Sequence, residues 1–516
     1  MRLLDLCSLP FFRARSIAAA LIVGALLCSA MPGRAQEVRV HLDSTAQIIR
    51  GFGAANIVNW RPDMTDLEIE TAFGLDQGEL GFSILRLRIP PDRNQWGINL
   101  RSARQAHDLG VTLIASPWSP PANMKTNNNL VGGRLRDDMY DEYAAYLNDF
   151  ATYMAENDAP LYAISVQNEP DVNVTYESCD WSPEQMTRFM RENASAINTR
   201  VIAPESFQFR RSMSDPILND SIAAANLDIL GGHIYGGGLS AYPLAESKGK
   251  EVWMTEHLDT DTGWNAVLGT ATEIQNVMRA GMNAYIWWYI VRFYGPIADG
   301  EQAPYAKGEV TKRGHMMWHF SRFIRPGAMR VHTTSTGLTG VSATAYVDGT
   351  NLVIVAINGS SRSADVHFTL EGGTRAYGTR YVTSQNQDAE RFFDVAISDN
   401  AFDATLASGS VTTFVLNDTA PSDTGTITRP ENELLQNYPN PFQGYTSIAF
   451  TLARPEDVRL EVFDAMGRRV GTLVNGHVSA GLHRVAFDAE SLPSGVYFYR
   501  LLSGNSAQTR LMTLVR

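Results

Sequence analysis

Cysteine is scarce in this sequence, with 3 in 516 residues. Cys7 and Cys28 lie in an N-terminal segment that we expect to be removed, which leaves Cys179 alone in the mature chain. A disulfide requires two cysteines, so we predict a protein without an intramolecular disulfide. Hydrophobic residues make up 44% of the chain, and we expect their burial to stabilise the fold.

Positive charge is also in short supply. The sequence has 43 lysines and arginines against 55 aspartates and glutamates, which gives a formal net charge of −12. Proteins that bind phosphate backbones concentrate positive charge, and no basic cluster is found here, so we exclude nucleic acid as a partner. Metal-ligand spacings, a Gly-x-Ser-x-Gly elbow and a phosphate loop are missing as well. We therefore expect no metal and no cofactor.

No hydrophobic run reaches the roughly 20 residues that a membrane-spanning helix needs. The longest, at residues 17–30, follows Arg13 and Arg15 and precedes Gly33-Arg34-Ala35. This order of basic, apolar and small residues is typical of a secretory signal peptide. We predict a signal peptide at 1–35, cleavage after Ala35 and no membrane span in the mature chain. The alternative is a single membrane anchor.

Short apolar runs alternate with helix-period segments through the first half of the chain. A run of this kind, rich in β-branched and aromatic residues, is typical of a buried parallel strand, and eight of them separated by helices over ~250 residues indicate a TIM barrel. We place the (β/α)8 barrel at 50–328. The runs occupy residues 50–56, 84–90, 112–120, 162–170, 200–206, 229–235, 251–257 and 284–294.

The rest of the chain reads as β-structure. Alternating strands joined by turns such as Asp348-Gly349-Thr350 predict a side β-sandwich at 329–417, and we expect a strand within 36–49 to join it. Residues 418–433 are rich in Thr, Pro, Asp, Ser and Gly, which is typical of a linker. Residues 434–516 predict a small, separate β-sandwich.

Two of the predicted barrel strands end in a glutamate. Glu169 follows Asn168 at the end of the fourth strand, and Glu256 ends the seventh. Catalytic groups in TIM barrels come from the carboxyl ends of strands, and a pair of carboxylates is the minimum apparatus for cleaving a glycosidic bond. We therefore predict a glycosidase, in which Asn168 hydrogen-bonds a sugar hydroxyl.

Aromatic residues at other strand ends fit a sugar-binding site. An indole face packs on the apolar face of a pyranose, so Trp118 and one of Trp287 and Trp288 are candidates, the other facing away because side chains alternate along a strand. The alternative is core packing. We predict that Tyr235 hydrogen-bonds Glu256, that either Arg86 or Arg88 faces the nucleophile, and that His233 is structural. The set assigned to substrate binding comprises Asn56, Trp118, Asn168, Tyr235, Trp288, Tyr289, Arg292 and Tyr294.

The sequence resembles glycoside hydrolase family 30, and within it the bacterial glucuronoxylanases of subfamily 8. The resemblance implies a retaining endo-β-1,4-xylanase with a β-sandwich side domain, with Glu169 as acid/base and Glu256 as nucleophile. The motifs that carry it are 51–53 (GFG), 115–121 (ASPWSPP), 162–171 (YAISVQNEPD), 188–194 (RFMRENA), 200–206 (RVIAPES), 253–256 (WMTE) and 287–290 (WWYI).

The same resemblance implies a pocket for the glucuronic acid branch of xylan. Arg292 occupies the position of the family's pocket arginine, between Tyr289 and Tyr294, and a guanidinium suits a carboxylate. The sequence departs from the family at Leu258, where a tyrosine usually contacts the branch, and the following loop, 259–264, is short. The resemblance therefore implies xylan cleavage without implying strict dependence on glucuronate.

The C-terminal unit resembles the type A sorting domain of the type IX secretion system. The motifs are 435–442 (LQNYPNPF), 462–468 (VFDAMGR) and 492–497 (LPSGVY). The resemblance implies export to the cell surface or medium, with the secretion machinery as a partner. A carbohydrate-binding module is the alternative for this unit. For the whole protein the alternatives are another family 30 enzyme, such as a β-1,6-glucanase or a glucosylceramidase-like enzyme, and a non-hydrolytic glycan-binding protein.

Overall fold

The computed structural model describes residues 36–418 and 432–515, apart from 438–439, 453, 479–480, 490 and 505. The predicted signal peptide at 1–35 lies outside these residues, as does nearly all of the predicted linker. Cys179 is a buried free thiol. In the part of the chain that the structure describes, no helix combines the length and the apolar character needed to cross a bilayer.

A closed barrel of eight parallel strands forms the centre of the protein, as predicted. It follows strand β1 (Glu37–Ile48), and its strands pair in chain order, with the last returning to the first. The barrel strands are β2 (Gly51–Asn56), β3 (Ile84–Ile89), β4 (Thr112–Pro117), β5 (Ala163–Ser165), β6 (Arg200–Ser206), β7 (Ile229–His233), β8 (Glu251–Glu256) and β9 (Ala284–Tyr289).

Helices cover the outside of the barrel. Local capping sets where one of them begins: the Ser182 side chain accepts a hydrogen bond from the Gln185 N–H, and a proline occupies the first turn of that helix. The helices are α1 (Asp66–Phe73), α2 (Leu100–Asp108), α3 (Tyr140–Glu156), α4 (Pro183–Glu192), α5 (Arg211–Asn219), α6 (Ser221–Ala225), α7 (Pro243–Ser247), α8 (Trp264–Arg279) and α9 (Lys312–Ser321), with 3-10 turns at Arg93–Asn99, Ala122–Met124, Asp137–Met139 and Ala194–Ala196.

Apolar side chains fill the lower part of the barrel, and polar ones follow them toward its carboxyl end. The lower cluster contains Ile84, Ile114, Ala163, Ile202, Ile229, Trp253, Ala284 and Ile286. Since side chains alternate along a strand, Arg86 on β3 shares the inward face of Ile84, two residues earlier. The barrel interior is therefore a packed core, and Arg86 is one of the polar groups that lie toward its carboxyl-end mouth.

Strands β5 and β9 are shorter than predicted. After β5 the regular parallel pairing with β4 and β6 ends. The Asn168 N–H donates instead to the Pro117 carbonyl (2.9 Å), and the Glu169 N–H donates to the Glu205 carbonyl (3.0 Å). After β9 a turn forms in which the Gly295 N–H donates to the Arg292 carbonyl (2.9 Å). Both departures occur where the chain supplies side chains to the mouth of the barrel.

A nine-stranded sheet forms the side domain, in the order β15-β14-β17-β12-β11-β10-β1-β13-β16. Strand β1 pairs antiparallel with β10 and parallel with β13, so the residues before the barrel complete this sheet. Gly349, at positive φ, lies in the turn joining β11 to β12. The strands are β10 (Met329–Thr336), β11 (Val341–Asp348), β12 (Asn351–Asn358), β13 (Ala364–Glu371), β14 (Tyr377–Ser384), β15 (Gln387–Val395), β16 (Ala401–Leu406) and β17 (Ser410–Asn417).

The C-terminal unit is made of two small sheets, β18-β19-β22 and β21-β20-β23-β24. Residues of both sheets, among them Phe450 and Tyr499, contribute to one buried apolar cluster. The strands are β18 (Glu433–Leu434), β19 (Tyr445–Leu452), β20 (Glu456–Asp464), β21 (Arg469–Val478), β22 (Gly481–Asp488), β23 (Gly495–Ser503) and β24 (Ser506–Leu514). The predicted fold class, a TIM barrel with a β side domain and a C-terminal all-β unit, is confirmed.

Candidate active site

The two glutamates singled out from the sequence meet at the carboxyl-end mouth of the barrel. Glu256 is the last residue of β8, and Glu169 lies four residues beyond β5. Each has a carboxylate oxygen in a group of atoms that lie within 4.8 Å of one another. The backbone of Glu169 has φ 47°, a left-handed conformation that is strained for a residue other than glycine. Such strain is typical of positions where the fold aims a side chain.

Both oxygens of Glu256 accept hydrogen bonds. The Tyr235 hydroxyl donates to Oε1 at 2.8 Å, and Arg86 Nη1 donates to Oε2 at 2.6 Å. Burial raises the pKa of Glu256, while the charges of His233 and Arg86 and the Tyr235 hydroxyl act in the opposite direction. These donors favour the ionised carboxylate, because they lose strength when it is protonated. Tyr235 thus lies where the sequence analysis placed it.

Arg86 is the central cation of the site and is fully buried. Besides Glu256, its guanidinium donates to Asn168 Oδ1 at 2.6 Å and contacts Glu205 Oε1 at 3.3 Å. It also lies 4.9 Å from the ring centroid of Trp118. Of the two arginines considered on β3, Arg86 therefore faces Glu256, whereas Arg88 pairs with Glu177.

His233 is part of the carboxylate site, and its prediction as a structural residue is wrong. Its Nδ1 lies 2.9 Å from Glu169 Oε1 and 4.0 Å from Glu256 Oε1, and its Nε2 lies 3.9 Å from Glu205 Oε1. Burial alone would lower the pKa of His233, but the surrounding carboxylates outweigh it and raise the pKa to about 9. The histidine at the end of β7 is therefore a cation at neutral pH.

Aromatic side chains surround the carboxylates. Trp118 lies 5.6 Å from Trp288 and 5.3 Å from Trp60, centroid to centroid. Trp60 also contacts Tyr176 at 6.3 Å, and the Tyr176 hydroxyl donates to Glu169 Oε2 at 3.1 Å. Trp60 and Tyr176 are 36% and 45% exposed, so this cluster presents ring surface to solvent beside the acidic pair.

Of the two neighbouring tryptophans on β9, Trp288 belongs to this aromatic cluster. Trp287 is 1% exposed, and the guanidinium of Arg313 lies 4.9 Å from its ring centroid. The expected alternation along the strand is therefore observed. Tyr289, next to Trp288, packs its ring at 4.6 Å from that indole.

Arg292 is engaged by acidic side chains of its own loop. Its Nη1 lies 2.8 Å from Asp299 Oδ2 and 2.5 Å from Glu301 Oε2. Arg61 contacts the same two carboxylates at 3.0 and 3.1 Å. The guanidinium of Arg292 lies 6.0 Å from the ring centroid of Tyr294. Two arginines and two carboxylates thus form a charge-balanced group in place of an isolated cation.

Asn56 and Leu258 do not join the acidic pair. The Asn56 amide nitrogen donates to Asp63 Oδ1 (2.8 Å) and to Ser102 Oγ (3.1 Å), so it is held within the fold. Leu258 packs against the barrel core. Because the amide nitrogen of Asn56 is already bonded within the protein, these hydrogen bonds do not support its assignment to substrate binding.

Three residues of the site were not found from the sequence. Glu205 is completely buried beside Arg86, while Trp60 and Tyr176 complete the aromatic cluster. Glu205 could have been found from the sequence, because it lies near the end of an apolar strand run, as Glu169 and Glu256 do. Trp60 and Tyr176 lie on loops outside regular strands, where no periodicity marks them.

Glu169, His233 and Glu256 form a group whose ligand atoms could also hold a metal ion, although no metal site was predicted. Arg86 already donates to Glu256, and His233 is itself charged, so the positive charge of this site comes from side chains. One carboxylate oxygen of Glu169 and one of Glu256 lie within 4.8 Å of each other, so both carboxylates can reach one glycosidic bond. The arrangement is suited to nucleophilic attack by one carboxylate and proton transfer by the other.

Comparison with known proteins agrees with this geometry. Residues 64–205 match the glycosyl hydrolase family 30 TIM-barrel domain. The chain is 43% identical over 398 residues to glucuronoxylanase XynC of Bacillus subtilis, covering 74% of this chain and 92% of that protein. It is 24% identical over 335 residues to an endo-1,6-beta-D-glucanase of Neurospora crassa, covering 56% of this chain and 68% of that protein.

Solved structures give the same result. The family 30 subfamily 8 xylanase Xyn30A of Clostridium acetobutylicum superimposes with a TM-score of 0.70 at 34% identity, covering 74% of this chain and 99% of that one. A family 30 endoxylanase of Clostridium papyrosolvens superimposes with a TM-score of 0.68 at 40% identity, covering 74% and 100%. Residues 436–514 match the secretion system C-terminal sorting domain, which indicates type IX export to the cell surface or the medium. The chain belongs to glycosyl hydrolase family 30.

Proposed function

We propose that this protein is a secreted endo-β-1,4-xylanase that hydrolyses glucuronoxylan with retention of anomeric configuration. The observation that carries the proposal is the grouping of Glu169 and Glu256, with carboxylate oxygens within 4.8 Å of each other. The relatives named glucuronoxylanase and xylanase support the choice of substrate. The proposal deepens the family assignment by naming the bond, the stereochemistry and the residues.

Glu256 is the nucleophile in this proposal. Two donors, Tyr235 and Arg86, hold its oxygens in the ionised state that attack on a sugar carbon requires. Asn168, oriented by Arg86, precedes the acid/base and is available to bond the 2-hydroxyl of the reacting sugar. Glu169 is the acid/base, with His233 on one oxygen and Tyr176 on the other.

The reaction then takes two steps. In the first, a Glu256 oxygen attacks the anomeric carbon, the glycosidic bond breaks, and the proton of Glu169 passes to the leaving oxygen. In the second, a water molecule gives a proton to Glu169 and attacks the anomeric carbon, which releases Glu256 as a carboxylate. Each step inverts the carbon once, so the product keeps the β-configuration.

The aromatic cluster supplies the binding surface for the xylan chain. Trp60 and Tyr176 are partly exposed beside Glu169, and Trp118 and Trp288 pack behind them. Indole and phenol faces bind the apolar faces of pyranoses with little need for charge. The xylan backbone is uncharged, so this surface can bind it whether or not the chain carries glucuronate branches.

The charge-balanced group around Arg292 favours weak dependence on the glucuronate branch. Asp299 and Glu301 already satisfy Arg292, so a branch carboxylate must compete with two carboxylates of the protein. A xylanase that accepts glucuronoxylan without requiring its branches is therefore the second candidate function. Assays on branched and unbranched xylan distinguish the two.

We further propose the division of the chain stated from the sequence. Residues 1–35 serve as a signal peptide, 36–49 supply the strand of the side domain, 50–328 form the catalytic barrel, 329–417 the side domain and 418–433 a linker. Residues 434–516 act as the sorting domain, for which the type IX secretion machinery is the partner. The match over 436–514 supports the last assignment.

The test is a product assay on three polysaccharides. The purified protein is incubated with glucuronoxylan, unbranched xylan and β-1,6-glucan, and new reducing ends and oligosaccharides are measured. The proposal expects xylo-oligosaccharides from glucuronoxylan and none from β-1,6-glucan. Cleavage of β-1,6-glucan in place of xylan would contradict the substrate, and no new reducing ends from any of the three would contradict the enzyme.

A further inference from the structure

A third carboxylate lies beneath the catalytic pair and takes no part in the mechanism above. Glu205, on β6, is completely buried, and its φ of 53° is again in the left-handed region. Its carbonyl accepts the N–H of Glu169, which fixes the two residues relative to each other. Arg86 lies 3.3 Å from its Oε1 and His233 lies 3.9 Å from the same atom.

The contact between Glu205 and His233 is electrostatic rather than a hydrogen bond. Among the described residues, neither Glu205 Oε2 nor His233 Nε2 makes a hydrogen bond, and 3.9 Å exceeds hydrogen-bonding distance. Glu205 therefore acts on His233 through its negative charge, while Arg86 donates a hydrogen bond to its Oε1. A charge at this distance typically shifts the pKa of a neighbouring group by about 1–3 units.

We propose that Glu205 is a positioning residue whose fixed negative charge keeps the active site electrically neutral through both steps of the reaction, so that Glu169 retains its proton until the leaving group takes it. The inference rests on the proposed double-displacement function. It concerns the proton of Glu169 and assigns Glu205 no contact with substrate.

The charges of the cluster around the catalytic pair Glu169 and Glu256 nearly cancel. Arg86 and His233 each carry one positive charge, and Glu205 carries one negative charge, which leaves a fixed background of one positive charge. That background balances a single negative charge on the catalytic pair. Tyr235 and Tyr176 also face the pair but are neutral hydroxyls, since burial, as the largest influence, raises the pKa of each phenol.

The single negative charge changes place during the reaction. Before attack it resides on Glu256, while Glu169 is protonated. In the glycosyl-enzyme, Glu256 has become a neutral ester, and Glu169 has given its proton to the leaving oxygen and carries the charge. When water attacks, its proton returns to Glu169 and the bonding electrons of the ester return to Glu256. The total remains zero throughout, provided that Glu205 stays ionised.

Without the Glu205 charge the background would be two positive charges. That background would balance two negative charges on the catalytic pair, so neutrality would no longer favour one proton held between the two carboxylates. Arg86 favours an ionised Glu205 strongly enough to overcome the cost of burial, so the pKa of Glu205 lies well below its ordinary value. Its charge is therefore present at neutral pH.

The test compares pH profiles of kcat/KM on xylan for the parent enzyme and Glu205→Gln. The expected result is a basic limb moved to lower pH by about one unit or more. With a dinitrophenyl xylobioside, whose leaving group needs no proton, the variant should keep its rate for the first step. Glu68→Gln, which alters another buried carboxylate that caps α1, is the matched control and should leave the basic limb in place.

A second variant separates charge from structure. The double variant His233→Asn/Glu205→Gln loses one positive and one negative charge, so its total background equals that of the parent. Because the lost cation contacts Glu169 directly, its basic limb should return to the parent's position or move to higher pH. If Glu205→Gln does not fold, the double variant still decides the matter. An unmoved limb in Glu205→Gln, or a limb in the double variant that lies at lower pH than the parent's, would overturn the proposal.

The parent enzyme distinguishes this inference from the proposed function. If it releases no sugar from xylan, the substrate assignment fails, and the Glu205 comparison is then made on a phenyl or alkyl glycoside that the enzyme does cleave, since such a leaving group needs a proton. If it cleaves xylan while the variants keep the parent's pH profile, the function stands and only the role of Glu205 is lost.

Discussion

Arg86 Nη1 lies 2.6 Å from Glu256 Oε2, and both side chains are buried. The same guanidinium contacts Asn168 and Glu205 and lies beneath the ring of Trp118. A buried arginine that lost one of these partners would be left with unpaired charge, which is costly. This contact therefore connects the nucleophile to the rest of the site, and the effects of substitutions nearby should be measured as changes in protonation as well as in rate.

Substituting Tyr235 with phenylalanine removes one of the two hydrogen bonds to Glu256. A hydrogen bond to a charged group contributes about 1.5–3 kcal/mol, so kcat/KM should fall about 10- to 100-fold. The hydroxyl favours the ionised carboxylate and lowers the pKa of Glu256, so its loss should raise that pKa. The acidic limb of the pH–rate profile should accordingly move to higher pH.

The matched control for Tyr235→Phe is Tyr242→Phe, which removes a buried hydroxyl that bonds Asp215 instead. It should leave the acidic limb in place. If the acidic limb of Tyr235→Phe keeps the parent's position or moves to lower pH, the hydroxyl does not stabilise the ionised form of Glu256.

Replacing Glu256 with glutamine keeps the shape of the nucleophile and removes its charge. Turnover should fall by about 10⁴-fold or more, while xylan should still bind, because the aromatic cluster is unchanged. Binding is measured by retardation in gels that contain xylan, and turnover by reducing ends. Glu246→Gln, exposed on α7, is the control and should behave as the parent does. Near-normal turnover in Glu256→Gln would assign the nucleophile elsewhere.

Glutamine in place of Glu301 should release Arg292 from one of its two acidic partners. Glu301 is 51% exposed as a side chain, so the fold should tolerate the change. The ratio of kcat/KM on glucuronoxylan to that on unbranched xylan should rise severalfold, because the guanidinium can then bind a branch carboxylate. Arg292→Ala should lower the ratio instead.

Exposed Glu156, at the end of α3, provides a neutral comparison as Glu156→Gln. An equal ratio in the parent, Glu301→Gln and Arg292→Ala would remove this loop from the recognition of branched chains.

Stability should decrease as pH rises toward 9. The pKa of folded His233 is raised to about 9, above the ~6.5 of an unfolded histidine. Its contribution is therefore fully present below about pH 6.5 and is lost as pH rises through about 9. By linkage this contribution is on the order of 3 kcal/mol. The Tm of the barrel should fall across this window, and His233→Asn should flatten the fall. A Tm of the parent that rises from pH 6.5 to 9 would contradict the charge on His233.

Much of the architecture could be predicted because it depends on periodicity. Strands buried on both faces read as apolar runs, and their carboxyl ends share one face of a barrel, so Glu169 and Glu256 could be brought together without coordinates. Alternation along a strand likewise separated Trp287 from Trp288. These are consequences of chain geometry that hold for any sequence with the same pattern.

Other parts depend on contacts between distant residues and could not be predicted. His233 lies in a strand end that suits a structural histidine equally well, and only the meeting of β5, β6, β7 and β8 surrounds it with carboxylates. Arg292 was expected to be free for a branch, but Asp299 and Glu301, seven and nine residues further on, fold back onto it. Neither relation leaves a periodic trace in the sequence.

Proton NMR of the first products of xylan hydrolysis tests the two-carboxylate mechanism most directly. With the parent enzyme at early times, before mutarotation, the new reducing ends should carry the β-anomeric signal, with the α signal growing only later. Initial appearance of the α-anomer would mean a single inverting displacement by water and would contradict the assignment of Glu256, beside Glu169, as the nucleophile.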